Sequence, residues 1–170
     1  MKYVFGKATP DDVDKIFDIY RKRVQWMDAV GIEQWNVTDY LEAYPPEYYR
    51  EQTELGNLYV LVNESTRKIA AAAVLLESDD LWLDRADTSA CYIHSLVTDT
   101  EESGAGKVIM AEIEKLAIRE GNRFLRLDCA ADSTFLNGYY KSLGYTQVEG
   151  KCAEGKYVGN RFEKELPGNE

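Results

Sequence analysis

The sequence predicts one mixed α/β domain over residues 1–166, and three observations lead there. Apolar residues recur at helical spacing in some stretches and in short strand-like runs in others, alternating along all 170 residues. No Pro/Gly/Ser-rich linker, internal repeat or low-complexity stretch divides the chain, whose length suits a single core. An apolar run at residues 91–97 enters a loop holding Gly104 and Gly106, and that loop opens onto an amphipathic helical pattern. Only residues 167–170 read as a loose tail.

Residues 2–7 read as a short strand. Thr9-Pro10-Asp11-Asp12 then sets a helix start, with a hydroxyl N-cap, Pro at the first helical position and acids facing the helix dipole. Val13, Ile16, Phe17, Tyr20, Val24 and Met27 mark one buried face, and Gly31 closes the helix. A second helix is expected near residues 37–43; Pro45-Pro46 interrupts, and residues 47–55 hold another turn or two. Strands follow at 58–62 and 69–76, joined by a polar hairpin connection. The alanines within 69–76 favour helix by propensity, but their place after a turn and the Val74-Leu75-Leu76 ending read as strand. Residues 78–90 form an acidic loop in which Leu81, Trp82 and Leu83 must pack on something. Strand 91–97, helix 106–120, strand 124–128, helix 133–143 closed by Gly144, and strands 145–148 and 157–165 complete the order.

A formal net charge of -10 opposes nucleic-acid binding, because phosphates are repelled over most of the surface. It suits cationic partners such as amines, and it equally suits plain solubility. Cys91, Cys129 and Cys152 offer no C-x-x-C pair, so reduced thiols in a cytoplasmic setting are expected, with neither disulfide nor zinc. His94 is the only histidine, which leaves no histidine cluster for a metal. No apolar run is long enough to cross a bilayer and nothing resembles a signal peptide, so no membrane partner is expected.

The glycine loop brings free N–H groups and the positive end of a helix dipole to one spot, which suits a phosphate or pyrophosphate. It is not a nucleotide-triphosphate loop: Gly104-Ala105-Gly106-Lys107 lacks the four-residue gap, and Val108 stands where Ser or Thr would meet magnesium. The third glycine of the dinucleotide fingerprint is missing too. Two glycines before a helix also serve as simple turn punctuation. Glu101 and Glu102 oppose an anion here, although loop side chains can point to solvent. The dipole favours an anion by roughly 0.3–1 kcal/mol, and a screened like charge offsets a similar amount. Main-chain hydrogen bonds therefore decide.

Glu101-Glu102-Ser103-Gly104-Ala105-Gly106 resembles the Gln/Arg-x-x-Gly-x-Gly/Ala motif of the GNAT superfamily of N-acetyltransferases, fitting both glycines and departing at the first position. Tyr140-Lys141-Ser142-Leu143-Gly144-Tyr145 resembles the family's Tyr-x-x-x-Gly-Phe/Tyr signature. The element order fits as well, so the resemblance covers nearly the whole chain. It implies a central mixed, largely antiparallel sheet, flanked by helices, with a parallel strand pair (91–97 and 124–128) that splays apart. It also implies acetyl-CoA as co-substrate, no metal, and direct attack by a primary amine of a small molecule or peptide.

On this resemblance the backbone of Leu96 and Val97 pairs with the pantetheine arm and polarises the reacting carbonyl. The N–H groups of Glu102, Ser103, Gly104, Ala105, Gly106 and Lys107 hold the pyrophosphate, with modest, salt-sensitive affinity. Tyr140 stands at the family's general-acid position, and Ser133 stands where the family often has a cofactor-contacting Asn. His94 is one candidate base, and a carboxylate acting through water, Glu33 or Asp128, is the other. The acceptor pocket is usually walled by the first two helices and their loop, which here offers Trp26, Glu33 and Trp35. Those tryptophans equally suit anchoring the helix hairpin to the core. A homodimer is one expected assembly. A catalytically silent acyl-CoA-binding domain is the alternative function.

Overall fold

In the computed structural model, which describes residues 2–86 and 88–168, the chain order is β1 (Tyr3–Lys7), α1 (Val13–Val30), α2 (Tyr40–Ala43), α3 (Pro46–Glu54), β2 (Leu58–Asn63), β3 (Ile69–Leu76), β4 (Ala90–Thr98), α4 (Ala105–Arg119), β5 (Phe124–Ala130), α5 (Thr134–Ser142), β6 (Thr146–Glu154) and β7 (Tyr157–Glu165). The strands form one seven-stranded sheet in the order β1-β2-β3-β4-β5-β7-β6. β1–β2, β2–β3, β5–β7 and β6–β7 pair antiparallel, whereas β4–β5 is parallel. This is the mixed, largely antiparallel sheet with flanking helices that the sequence implied. The chain also divides into two compact units: up to Leu75 together with His94–Ile113, and Leu76–Ile93 together with Glu114 onward.

In the first unit, the apolar spacing of α1 buries Val13, Ile16, Phe17, Tyr20 and Met27 as expected. Asp12 Oδ2 accepts from the Thr9 N–H at 2.8 Å and from its hydroxyl at 3.0 Å, so a short 3-10 turn precedes α1. Gly31 closes the helix at φ 75. Tyr20 stacks on Tyr49 of α3 at 4.8 Å, and Phe17 tilts against the same ring at 6.3 Å. The alanine run is strand: Ala70 to Ala73 have no exposure, and Ala71 to Ala73 pair with β2. The helix expected at 37–43 shrinks to the single turn α2. Val37 and Thr38 are β-branched, and Asp39 takes a left-handed φ of 55, so helical hydrogen bonding begins only after it.

In the second unit, β4 and β5 pair over Ala90–Phe124, Cys91–Leu125 and Tyr92–Arg126. That register covers only the start of each strand. The loop expected at 78–90 contains a 3-10 turn, Asp80–Arg85, begun by Asp79 Oδ1 accepting from the Leu81 N–H at 2.9 Å. Trp82 is fully buried with Ala90, Tyr92 and Val148, and Leu76, Leu81 and Phe124 close around them. Leu83, expected to pack, is 71% exposed, because the turn sends its neighbour inward instead. Trp82 lies against two guanidinium groups, Arg126 at 5.2 Å and Arg161 at 5.0 Å. Arg126 donates to the Arg85 carbonyl at 2.9 Å, the Tyr92 hydroxyl at 3.0 Å and Glu163 at 3.1 Å. Arg161 donates to the Leu81 and Glu149 carbonyls and to Asp84. The last strand pair is longer than expected: β6 runs on to Glu154 across a register shift between Val148 and Lys151. Pro167 and Gly168 follow β7 without regular structure, and the rest of the expected tail lies outside the described residues.

Candidate active site

The glycine turn belongs to the first unit. The Asp99 N–H donates to the Ala70 carbonyl at 2.8 Å, tying the end of β4 to β3. Within the turn, the Glu102 N–H donates to the Asp99 carbonyl at 3.1 Å and the Ala105 N–H to the Glu102 carbonyl at 3.3 Å. The Glu101 N–H donates to Asp99 Oδ1 at 2.9 Å. Gly104 sits at φ +85, and a Cβ added there would meet nothing within 4 Å, so backbone conformation and not space excludes a side chain. Glu102 and Ala105, named in the sequence as pyrophosphate donors, thus already use their N–H groups inside the turn. The N–H groups of Ser103, Gly104, Gly106 and Lys107 have no partner among the described residues, and together with the start of α4 they can hold an anion.

The Glu102 carboxylate does not point to solvent. It accepts from the Tyr3 hydroxyl at 2.8 Å and from Asn63 Nδ2 at 3.0 Å, with Lys2 at 3.9 Å, and its side chain is only 13% exposed. The conflict between a like charge and an anion-binding turn is therefore met by contacts on β1 and β2. Glu101 is exposed.

The end of β4 carries a residue that no sequence motif marks. Ser95 is buried and left-handed, φ 53, in the middle of a strand. A non-glycine residue held there costs roughly 1–3 kcal/mol. Two tyrosines brace it: the Tyr20 hydroxyl donates to its carbonyl, and the Tyr40 hydroxyl donates to its Oγ at 2.5 Å. Burial pushes the phenols of Tyr20, Tyr40 and Tyr49 well above their usual range, which keeps them as donors. Arg23 donates to the Thr98 carbonyl at 2.8 Å and hydroxyl at 2.7 Å, and Lys22 pairs with Asp99 at 3.5 Å. In this frame Leu96 is half-buried and Val97 is buried.

Two expected site residues share one aromatic chain. Trp35 stacks on Tyr40 at 4.3 Å, Tyr40 meets Tyr44 at 4.9 Å, and Tyr44 meets the half-buried His94 edge-on at 5.9 Å. Trp26 stands apart, 37% exposed beneath the Arg23 guanidinium at 4.7 Å, and Glu33 is exposed.

In the second unit, Tyr140 is buried in α5 against Tyr145 at 6.1 Å and Phe162 at 6.2 Å. Burial pushes its phenol up, aided by Cys129, Tyr139 and Asp128. Ser133 caps α5, its Oγ accepting from the Leu136 N–H at 3.2 Å. Asn137, one turn on, donates to the Ala130 carbonyl at 3.1 Å and the Ser133 carbonyl at 2.6 Å, and accepts from Asn160 at 2.9 Å. Among the described residues no cluster of His, Cys, Asp and Glu suits a metal, and no helix is long and apolar enough to cross a membrane.

A strand leading into a glycine turn and a helix, in a mixed sheet that holds one parallel strand pair, is the arrangement the chain adopts. The acetyltransferase (GNAT) family matches residues 29–145, and the chain belongs to that family. It is 26% identical over 167 residues to an uncharacterized N-acetyltransferase, YesJ, of Bacillus subtilis (strain 168), covering 94% of this chain and 88% of that one. A crystal structure of a GNAT-family acetyltransferase from Listeria monocytogenes 4b F2365 superposes with a TM-score of 0.81 at 27% identity, covering 96% of this chain and 95% of that one. The fold is also that of the PaiA N-acetyltransferase from Thermoplasma acidophilum in complex with coenzyme A, with a TM-score of 0.73, 15% identity, and 98% and 100% coverage. Membership supports acyl transfer to an amine acceptor.

Proposed function

We propose that the protein transfers an acetyl group from acetyl-CoA to a primary amine of a small molecule or peptide by direct attack. The observation that carries this reading is the glycine turn: four N–H donors at a helix start with no partner among the described residues, and the Glu102 carboxylate bound by Tyr3 and Asn63. That donor set fits a pyrophosphate, so Ser103, Gly104, Gly106 and Lys107 are assigned to it, and the backbone of Leu96 and Val97 to the arm and carbonyl. Acetyl-CoA supplies an activated acyl carbon as a thioester.

Tyr140 gives its hydroxyl proton to the departing sulfur as the C–N bond forms and the C–S bond breaks. Because burial favours the neutral phenol, Tyr140 is protonated at neutral pH, as a general acid must be. His94 is assigned the proton that the amine loses, with Tyr44 against its ring. Trp35, in the same aromatic chain, is assigned to the acceptor side, and Ser133 to a contact from its hydroxyl, which can still donate while it caps α5.

Thiol release from acetyl-CoA, measured across a panel of primary amines, tests the proposal. Amine-dependent release is expected. Tight CoA binding without amine-dependent release would instead identify a silent acyl-CoA-binding domain.

A further inference from the structure

Ser95 and the two phenols that brace it have no role in the chemistry above, yet they lie in the first unit with Leu96, the next residue of β4. A regular strand keeps φ at about −120° to −140°. Ser95 takes a φ of 53 inside β4, a conformation that a side chain opposes. That rotation sets the plane of the peptide unit between Ser95 and Leu96. The unit is trans, so the Ser95 carbonyl and the Leu96 N–H lie on opposite sides of one rigid plane. The Tyr20 hydroxyl donates to that carbonyl. Fixing the oxygen fixes the hydrogen, and the Leu96 N–H points away from Tyr20.

Tyr40 acts on the same residue from α2, its hydroxyl donating to Ser95 Oγ at 2.5 Å. Both phenols are locked by their rings. Trp35 stacks on Tyr40 at 4.3 Å with the planes 10° apart, and Tyr20 tilts against Trp35 at 5.6 Å and Tyr40 at 6.2 Å. Tyr20 has no exposure and stacks on Tyr49 at 4.8 Å. Two donors so held act on Ser95 as fixed points, and their bonds offset the strain of its left-handed backbone.

We propose that Tyr20 and Tyr40 are positioning residues: they hold Ser95 left-handed and thereby aim the Leu96 N–H at the thioester carbonyl. This inference rests on the acetyl-transfer reading, which assigns that carbonyl to the backbone of Leu96 and Val97. The phenols act through one peptide unit of β4, so their effect falls on the carbonyl and on kcat. The anion grip of the glycine turn keeps its own donors and is left untouched.

The test measures thiol release with 1,4-diaminobutane, benzylamine and glycylglycine amide, CoA affinity by calorimetry, and the infrared band of bound acetyl-CoA isotope-labelled at the thioester carbonyl. Tyr20→Phe and Tyr40→Phe are expected to lower kcat about five- to tenfold with CoA affinity within about twofold. Ser95→Ala and Ser95→Gly delete the same hydroxyl, but only glycine takes a positive φ without strain. Ser95→Gly is therefore expected to turn over about three- to tenfold faster than Ser95→Ala. For the same reason, adding Tyr40→Phe to Ser95→Gly is expected to cost less than about twofold. The carbonyl band is expected at lower frequency in bound wild type than in free acetyl-CoA, and less displaced in Tyr20→Phe, Tyr40→Phe and Ser95→Ala. Unchanged kcat and band in either phenylalanine variant overturns the inference and leaves acetyl transfer standing, as does equal turnover by Ser95→Ala and Ser95→Gly. Parallel loss of CoA affinity also overturns it, since that marks general disruption. A wild type inactive with all three amines counts against acetyl transfer itself, and the infrared band then decides the inference. A displacement that depends on Tyr20 and Tyr40 supports it; one independent of them, or absent, overturns it.

Discussion

Glu102 illustrates how one residue's partners change its meaning. From charge alone it repels an anion at the glycine turn; bound by Tyr3 and Asn63, it fastens that turn to the sheet edge. Glu102→Ala is therefore expected to weaken CoA binding even though it removes a negative charge. It also leaves the Tyr3 hydroxyl and the Asn63 amide without their acceptor, at about 1–3 kcal/mol of stability. Chemical denaturation and CoA titration of the variant check both effects; tighter CoA binding would mean that repulsion dominates. Ser95 carries a similar lesson. Its left-handed backbone is held by Tyr20 and Tyr40, each more than fifty residues away in the chain. No local pattern in the sequence marks it.

At the scale of elements, the 3-10 turn between β3 and β4 is held chiefly by Trp82 and the two arginines against it. Arg126 is 1% exposed and bonded to Glu163, Tyr92 and Arg85. Truncating one partner of so buried a pair leaves the other uncompensated, so Arg126→Met is expected to lower stability by about 3 kcal/mol. Urea unfolding checks this, and a change below about 1 kcal/mol would show that the network is dispensable. The helical face of α1 and the strand at Ile69–Leu76 were legible because periodicity and flanking turns report burial directly. The shortening of α2, the turn at Asp80–Arg85 and the extension of β6 were not. Each depends on one residue's backbone choice or on contacts across the sheet. The glycine turn was legible as a donor cluster, but which donors remain available depended on hydrogen bonds inside it.

Across the whole molecule, the three cysteines are buried free thiols. Burial pushes Cys91 and Cys129 up to about 12 and Cys152 to about 11. The folded state therefore holds these protons where the unfolded chain, with ordinary thiols near ~8.5, has lost them. Stability from this source is fully present below about pH 8.5 and is lost as pH rises toward 12. Native protein at pH 8 is expected to resist a disulfide reagent such as DTNB, with three thiols per chain reacting only in guanidinium. Rapid labelling of the native state would contradict that burial. The family supports acyl transfer to an amine acceptor, and the proposed function assigns Tyr140 as the acid. The most direct test compares amine-dependent thiol release by wild type and Tyr140→Phe, with CoA affinity measured in both. The predicted result is a fall in kcat of about a hundredfold or more with CoA affinity changed less than about threefold; equal turnover in the two proteins would contradict it.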